Sequence, residues 1–247
     1  MTSDKQRMDN IGRRVPTIVR ALLKRIEHLA DRTGIKAYAV GGCVRDWILG
    51  ISKTPDIDVI VEGNGIEFAT RLAATLHAQL TTHRQFGTST LLRSHGRQRL
   101  DIATCRKEIY CEPAAYPKVE PGRLRDDLFR RDFTINAMAM AIGAQRFGEL
   151  VDPFEGWRDL QARRLRVLHA ESFRDDPTRM LRAARFAARF GLVLETQTRR
   201  WFAQAVAAGW LSRVNRGLLH KELLRMTEEP DPVASLVRLG RWLESAS

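Results

Sequence analysis

The sequence predicts a chain in two parts, an α/β first part and an all-helical second part, with the boundary near residue 150. Before 150, short apolar runs of strand length alternate with Gly turns and amphipathic stretches. After Asp152-Pro153 the apolar positions recur at helical spacing, interrupted only by short connectors. Across 247 residues, 44% are hydrophobic, enough for a sizeable core.

Residues 1–14 are polar and read as a tail. From Pro16 to Ala30, the positions Ile18, Val19, Leu22, Leu23, Ile26 and Leu29 follow a helical period, which Gly34 ends. Lys36 to Val40 reads as a strand leading into Gly41-Gly42, then a short helix from Cys43 to Leu49, stopped by Gly50. Asp56 to Val61 reads as a strand and Gly65 to Leu76 as an amphipathic helix. Three strands follow, Gln79 to His83, Thr88 to Arg93 and Arg97 to Ala103, the last two joined by a turn at SHGR, 94–97. Residues 106–124 hold three prolines and little periodicity, so they read as a long, functional loop. A charged run from Asp126 to Asp132 then abuts an apolar segment, Ala137 to Ile142. Charges at a core boundary need partners, either each other or a ligand. Arg146 to Val151 gives one more strand. Helices are expected over 155–162, 171–190, 195–208, 215–228 and 231–244.

The stretch from Tyr38 to Val61 concentrates the chemistry. Strand side chains alternate with period 2, so Asp56 and Asp58 leave the same face. Side by side they repel unless a cation sits between them, and hard oxygen ligands suit Mg²⁺ shared with substrate phosphates. Gly41 and Gly42 let the backbone approach a phosphate, and Arg45, followed by Asp46, can pair with one. A phosphate cradle beside a metal pair points to transfer chemistry on a nucleoside triphosphate. An ordinary turn and a solvated Asp pair explain either motif alone, but not both at this spacing. Asp101, within LDIAT, reaches the Asp56/Asp58 face if the strands are neighbours and faces solvent if it lies on an edge strand.

The net charge of +12 favours a polyanionic partner, nucleic acid first. The basic residues are spread along the chain rather than gathered beside an apolar anchor, which weakens a membrane-surface reading. No apolar run approaches the ~20 residues that span a bilayer. The N-terminus lacks an apolar h-region, and the three cysteines, without zinc-site spacing, fit free thiols in a reducing cytoplasm. Along the helix from Pro177, Arg179, Arg182, Arg185 and Arg189 recur every three or four residues with no acidic residue after Asp176. They are expected to form an unneutralised strip facing phosphate or bases.

Four blocks, GGCVRD with PDIDV at 41–59, RRDFTINAMA at 130–139, VDPFEGWRDL at 151–160 and DDPTRMLRAARFAARFG at 175–191, together resemble the CCA-adding tRNA nucleotidyltransferases and their bacterial poly(A) polymerase relatives. The resemblance covers roughly residues 15–230. It implies an α+β chain: a polymerase-β-like nucleotidyltransferase head with a mixed sheet and flanking helices over 15–150, then a helical neck and start of body over 151–247. It implies Mg²⁺ at Asp56 and Asp58; Asp101 is the weaker candidate for a third ligand from its place on the neighbouring strand. It also implies triphosphate contact from Gly41, Gly42, Arg45 and Asp46, and ribose or phosphate contact from Arg130, Arg131, Asp132 and Asn136. Asp176 and Arg179 read the base, supported by Arg182 and Arg185; Asp175 stands where the family usually has Glu. The implied activity is template-independent addition of C and A from CTP and ATP to the tRNA 3′ end. Poly(A) tailing, A-only or CC-only addition, and a catalytically silent RNA-binding module are the alternatives. The family continues into a body and tail that grip tRNA, so a chain ending soon after the neck implies a fragment, lower tRNA affinity, or grip supplied from elsewhere.

Overall fold

The computed structural model describes residues 10–52, 56–92 and 99–246; the start of the polar tail and the turn expected at 94–97 lie outside them. The described chain packs as two compact units. The first takes the chain up to Lys107 with Val119–Arg131 and Asn136–Phe154, and the second takes Glu108–Lys118, Asp132–Ile135 and the chain from Glu155 onward.

In the first unit, α1 (Thr17–Thr33) buries Val19, Leu22, Leu23, Ile26 and Ala30 along one stripe. Ile18, expected on that stripe, lies at its edge in the first turn and is 74% exposed. Gly34, at φ 69°, closes the helix in the left-handed region that a side chain disfavours. The chain continues through β1 (Lys36–Val40), α2 (Gly42–Ile48), β2 (Asp56–Glu62), α3 (Gly65–Leu76), β3 (Gln79–His83), β4 (Thr88–Leu92) and β5 (Arg99–Thr104). The segment expected to be a loop carries β6 (Arg106–Ile109) and β7 (Lys118–Pro121), paired as a two-stranded ribbon. Runs of four residues are too short to show a period, yet pairing across the ribbon satisfies their backbone groups. Next come α4 (Leu124–Phe129), β8 (Ala139–Ile142) and β9 (Leu150–Val151). β9 is shorter than expected because the chain after Gly143 turns, with the Arg146 N–H on the Gly143 carbonyl at 2.9 Å.

These strands form a seven-stranded mixed sheet in the order β3-β4-β5-β2-β1-β8-β9. β2 runs parallel to β5 and antiparallel to β1. A parallel neighbour requires a crossover, which α3 and the β3–β4 hairpin provide. That crossover sets the two Asp-bearing strands side by side in the middle of the sheet. Ile57, Val59 and Val61 are buried on one face of β2, and Asp56 and Asp58 leave by the other.

The second unit contains α5 (Gly156–Gln161), β10 (Arg164–Leu165), α6 (Ser172–Asp175), α7 (Thr178–Phe190), β11 (Val193–Leu194), α8 (Thr196–Ala207), α9 (Arg216–Thr227) and α10 (Pro232–Glu244). Helices dominate as expected, with one small addition: β10 and β11 pair in parallel. The single helix expected over 171–190 is two. Pro177 forces the preceding residue out of the helical region, and Asp176 is extended at φ −137°, ψ 91°. Edge-to-face rings centre this unit: Phe173 on Phe202 at 5.5 Å, Phe202 on Trp242 at 5.6 Å and Phe133 on Phe186 at 5.9 Å. No described helix is long and apolar enough to cross a membrane.

Cys43 and Cys105 are buried and Cys111 is exposed. Burial pushes both buried thiols up to about 12, with the Asp58 charge adding at Cys43 and Asp127 at Cys105. Only a thiolate is readily alkylated. Native protein treated with iodoacetamide at pH 8 is therefore expected to gain one adduct by intact mass, at Cys111. A second adduct without denaturant contradicts this packing.

Candidate active site

β1 delivers the chain into Gly41, whose φ of 76° and ψ of −132° suit glycine alone. Close approach adds a second reason: a Cβ on Gly41 would lie 2.6 Å from Nη1 of Arg131. Gly42 opens α2, which places Arg45 and Asp46 beneath the turn. Both are buried. Arg45 donates from Nε and Nη2 to Oδ1 of Asp46 at 2.9 and 2.7 Å, and from Nη1 to Oδ1 of Asn136 at 2.5 Å. Three of the expected nucleotide-binding residues thus interlock as the floor under Gly41-Gly42, with Arg45 nearly inaccessible to solvent.

Asp58 and Asp101 are register partners on parallel strands, so their carboxylates leave the same face, beside Asp56. The solvent-edge alternative for Asp101 falls away, because β5 lies between β4 and β2. Asp101 is held by the Thr90 hydroxyl at 2.5 Å and by Nε of Arg99 at 2.9 Å. Asp58 is an exposed residue, yet its carboxyl titrates above the ordinary range. Lost hydration raises it, the Arg131 guanidinium pulls it down, and Asp101 and Asp56 push it up again. A carboxylate made less acidic by lost hydration and by two like charges is a place where a divalent cation fits. Among the described residues no group of three or more His, Cys, Asp or Glu side chains is arranged to hold a metal ion, so Asp101 does not complete a three-carboxylate site with Asp56 and Asp58. The set is open and all-oxygen, which suits an ion that keeps water and substrate oxygens in its shell.

Arg130 and Arg131 follow α4. Both are anchored by Asp127, which is wholly buried. Asp132, the third member of that block, belongs to the second unit, where it accepts from Arg182 on α7.

In the second unit, Oδ1 of Asp176 accepts from the Thr178 backbone N–H at 3.0 Å and the Thr178 hydroxyl at 2.5 Å, so it caps the start of α7. Its other oxygen lies 3.9 Å from Nε of Arg179. A cavity of about 260 Å³ opens here, lined by Asp176, Thr178, Arg182, Glu222, Tyr110 and Tyr116. Burial, with the Glu108 carboxylate adding, raises the pKa of Tyr110, whose hydroxyl donates to Glu108 at 3.0 Å.

The unneutralised arginine strip is not what the structure shows. Arg179 and Arg185 are buried. Arg182 pairs with Asp132 and lies 3.8 Å from Glu222; Arg185 pairs with Glu229 at 3.0 Å; Arg189 lies 3.7 Å from Glu229. Burial works against the Arg182 charge, but Asp132 and Glu222 outweigh it and raise its pKa. The neutralising carboxylates come from distant segments, so a scan along the helix alone does not find them. Glu222, itself buried, also takes Arg225 at 2.5 Å. Glu222→Ala removes a buried carboxylate shared by Arg182, Arg185 and Arg225, the first two of which keep Asp132 and Glu229, and is expected to cost about 2 kcal/mol in urea unfolding. A loss below ~0.5 kcal/mol, the ordinary range for surface changes, contradicts this.

Sequence reasoning missed Asp127, Thr90, Glu222 and Glu229 as organisers of the site. Asp127 had a local signal: it precedes Arg130 and Arg131 by three and four residues, the spacing at which helical side chains meet. The others act across strands or between helices and left none.

A family profile of the poly A polymerase head domain matches residues 37–166. An A-adding tRNA nucleotidyltransferase of Geobacter sulfurreducens is 40% identical over 230 residues, covering 93% of this chain and 26% of that protein. An enzyme of the same description from Aquifex aeolicus is 47% identical over 189 residues, covering 76% of this chain and 23% of its own length. Other relatives are a CC-adding tRNA nucleotidyltransferase and multifunctional CCA proteins. Among solved structures, the apo form II of a CCA-adding enzyme superposes with a TM-score of 0.86 at 42% identity, covering 93% of this chain and 54% of that one. The chain therefore spans about a quarter of the first two relatives and about half of that structure. By the profile match over more than half its length, and by the sheet that carries Asp56, Asp58 and Asp101, the chain belongs to the family of poly(A) polymerases and tRNA nucleotidyltransferases.

Proposed function

We propose that this protein transfers nucleotides from CTP and ATP to the 3′ end of tRNA without a template, adding C, A or both and releasing pyrophosphate. The observation that carries the reading is the Asp58–Asp101 register, which gathers carboxylates beside the Gly41-Gly42 turn. The attacking 3′-hydroxyl oxygen forms a bond to the α-phosphorus, the bond from that phosphorus to the bridging oxygen breaks, and pyrophosphate carries away the electron pair. Asp56 and Asp58 would hold Mg²⁺, with Asp101 beside them on the same face, and the ion would supply charge neutralisation at the transferred phosphate. Gly41 and Gly42 admit the triphosphate to the backbone, over a floor fixed by Arg45, Asp46 and Asn136. Arg130 and Arg131 bring positive charge to the phosphates. In the second unit, Asp176 and Arg179 discriminate the base, with Arg182 and Arg185 held in place by Asp132, Glu222 and Glu229.

Addition of A alone is a second reading, favoured by the A-adding relatives at 40% and 47% identity. One experiment tests both. The protein receives Mg²⁺, one labelled nucleotide at a time, and tRNA ending before the first C, the second C or the A. C and A addition predicts extension of all three substrates; A-only addition predicts extension of the last alone, with ATP. No extension of any substrate sinks the proposal and leaves an RNA-binding module.

A further inference from the structure

We propose that Asp127 is a positioning residue for the triphosphate site, fixing Arg130 and Arg131 side by side so that Arg131 stands at the Gly41 turn. The inference rests on the nucleotidyl-transfer reading above and adds to it a residue that touches no substrate. Oδ1 of Asp127 accepts from Nε and Nη2 of Arg130 at 2.9 and 2.7 Å, and Oδ2 accepts from Nη2 of Arg131 at 3.0 Å. Neighbouring guanidinium groups repel, and a buried carboxylate does not stay ionised alone. Each removes the other's penalty: burial raises the Asp127 pKa, but Arg131 and Arg130 outweigh it, and the net shift is downward.

The grip leaves the working side of Arg131 open. Its Nη1 points at the turn, 2.6 Å from where a Cβ on residue 41 would lie, and the φ of 76° there favours glycine. Its buried Nε–H has no acceptor among the described residues, so Asp127 holds the guanidinium by one edge only. Among the described residues, Asp127 is the carboxylate that pairs with Arg131. The role requires Asp. Asn has one acceptor, and its amide would aim N–H groups at a guanidinium that also only donates. Glu would push the arginines forward by one methylene.

The test is calorimetric titration of the full chain with inorganic tripolyphosphate in Mg²⁺ buffer, at a temperature where circular dichroism shows each variant folded. Asp127→Asn is expected to bind about tenfold more weakly than wild type, as for a lost charge-assisted contact. The KM values for CTP and ATP should rise by the same factor, leaving base preference unchanged. A residue that merely stabilises α4 lowers the melting temperature but not tripolyphosphate affinity in the folded protein, so unchanged affinity overturns the proposal. Should Asp127→Asn not fold, Asp127→Glu is read the same way: weaker binding supports positioning and wild-type affinity overturns it. Wild-type protein that binds no tripolyphosphate overturns the site reading itself, and this inference with it.

Discussion

Asp58→Ala is expected to lower incorporation of CTP and ATP alike, on the order of 10³-fold, while nucleotide affinity stays within about threefold. On the proposed reading the carboxylate would be a metal ligand needed at the transferred phosphate, where charge shifts during the reaction, while the base and most of the triphosphate would be held elsewhere. An interaction made chiefly in the transition state appears in kcat rather than in binding. Asp58 does not hold the fold together: it is exposed and on the polar face of β2, whose apolar face is filled by Ile57, Val59 and Val61. The variant should therefore fold normally. Quench-flow incorporation beside equilibrium binding of labelled ATP measures both quantities, and near-normal turnover would show that the transfer site lies elsewhere.

Asp176→Ala is the second large effect, with two separable consequences. The structure shows the cap directly, in the Thr178 N–H and hydroxyl that Asp176 accepts. Its loss should reduce stability by ~0.5–2 kcal/mol. The carboxylate oxygen nearer Arg179 supports the other role. Cytosine and adenine both present an amino donor beside a ring-nitrogen acceptor, whereas uracil and guanine present a carbonyl beside a ring N–H. An ionised Asp only accepts and an Arg only donates, so as a base-reading pair they would fit C and A and refuse U and G. Losing the acceptor should remove ~1–3 kcal/mol of discrimination, so UTP and GTP begin to compete in single-nucleotide incubations. A variant that melts earlier yet still refuses UTP and GTP leaves Asp176 as a cap alone.

Much of this was legible along the chain because it is local. Period-2 alternation places Asp56 and Asp58 on one face, glycines mark the turn at 41 and the end of α1, and helical spacing finds the second unit's helices. What was not legible is pairing at a distance. Whether Asp101 faced the carboxylates or solvent depended on β5 lying beside β2, which follows from a crossover and from no residue in LDIAT. The arginines of α7 looked unneutralised because Asp132, Glu222 and Glu229 are some 40 to 50 positions away. Arg45 read as a phosphate ligand, yet it is spent on the adjacent Asp46 and on Asn136, which lies 91 residues on. Local motifs thus predicted which groups lie near the turn and the carboxylate strand, and tertiary pairing decided which of them are buried against protein partners.

Pyrophosphate release measured against label incorporation tests the central claim most directly, using wild-type protein, tRNA lacking its terminal A, and labelled ATP, with Mg²⁺ or with excess chelator. In-line transfer at Asp56 and Asp58 predicts one pyrophosphate per nucleotide incorporated, and loss of both signals together when chelator is added. Release of orthophosphate without incorporation, or incorporation that persists in chelator, would contradict it.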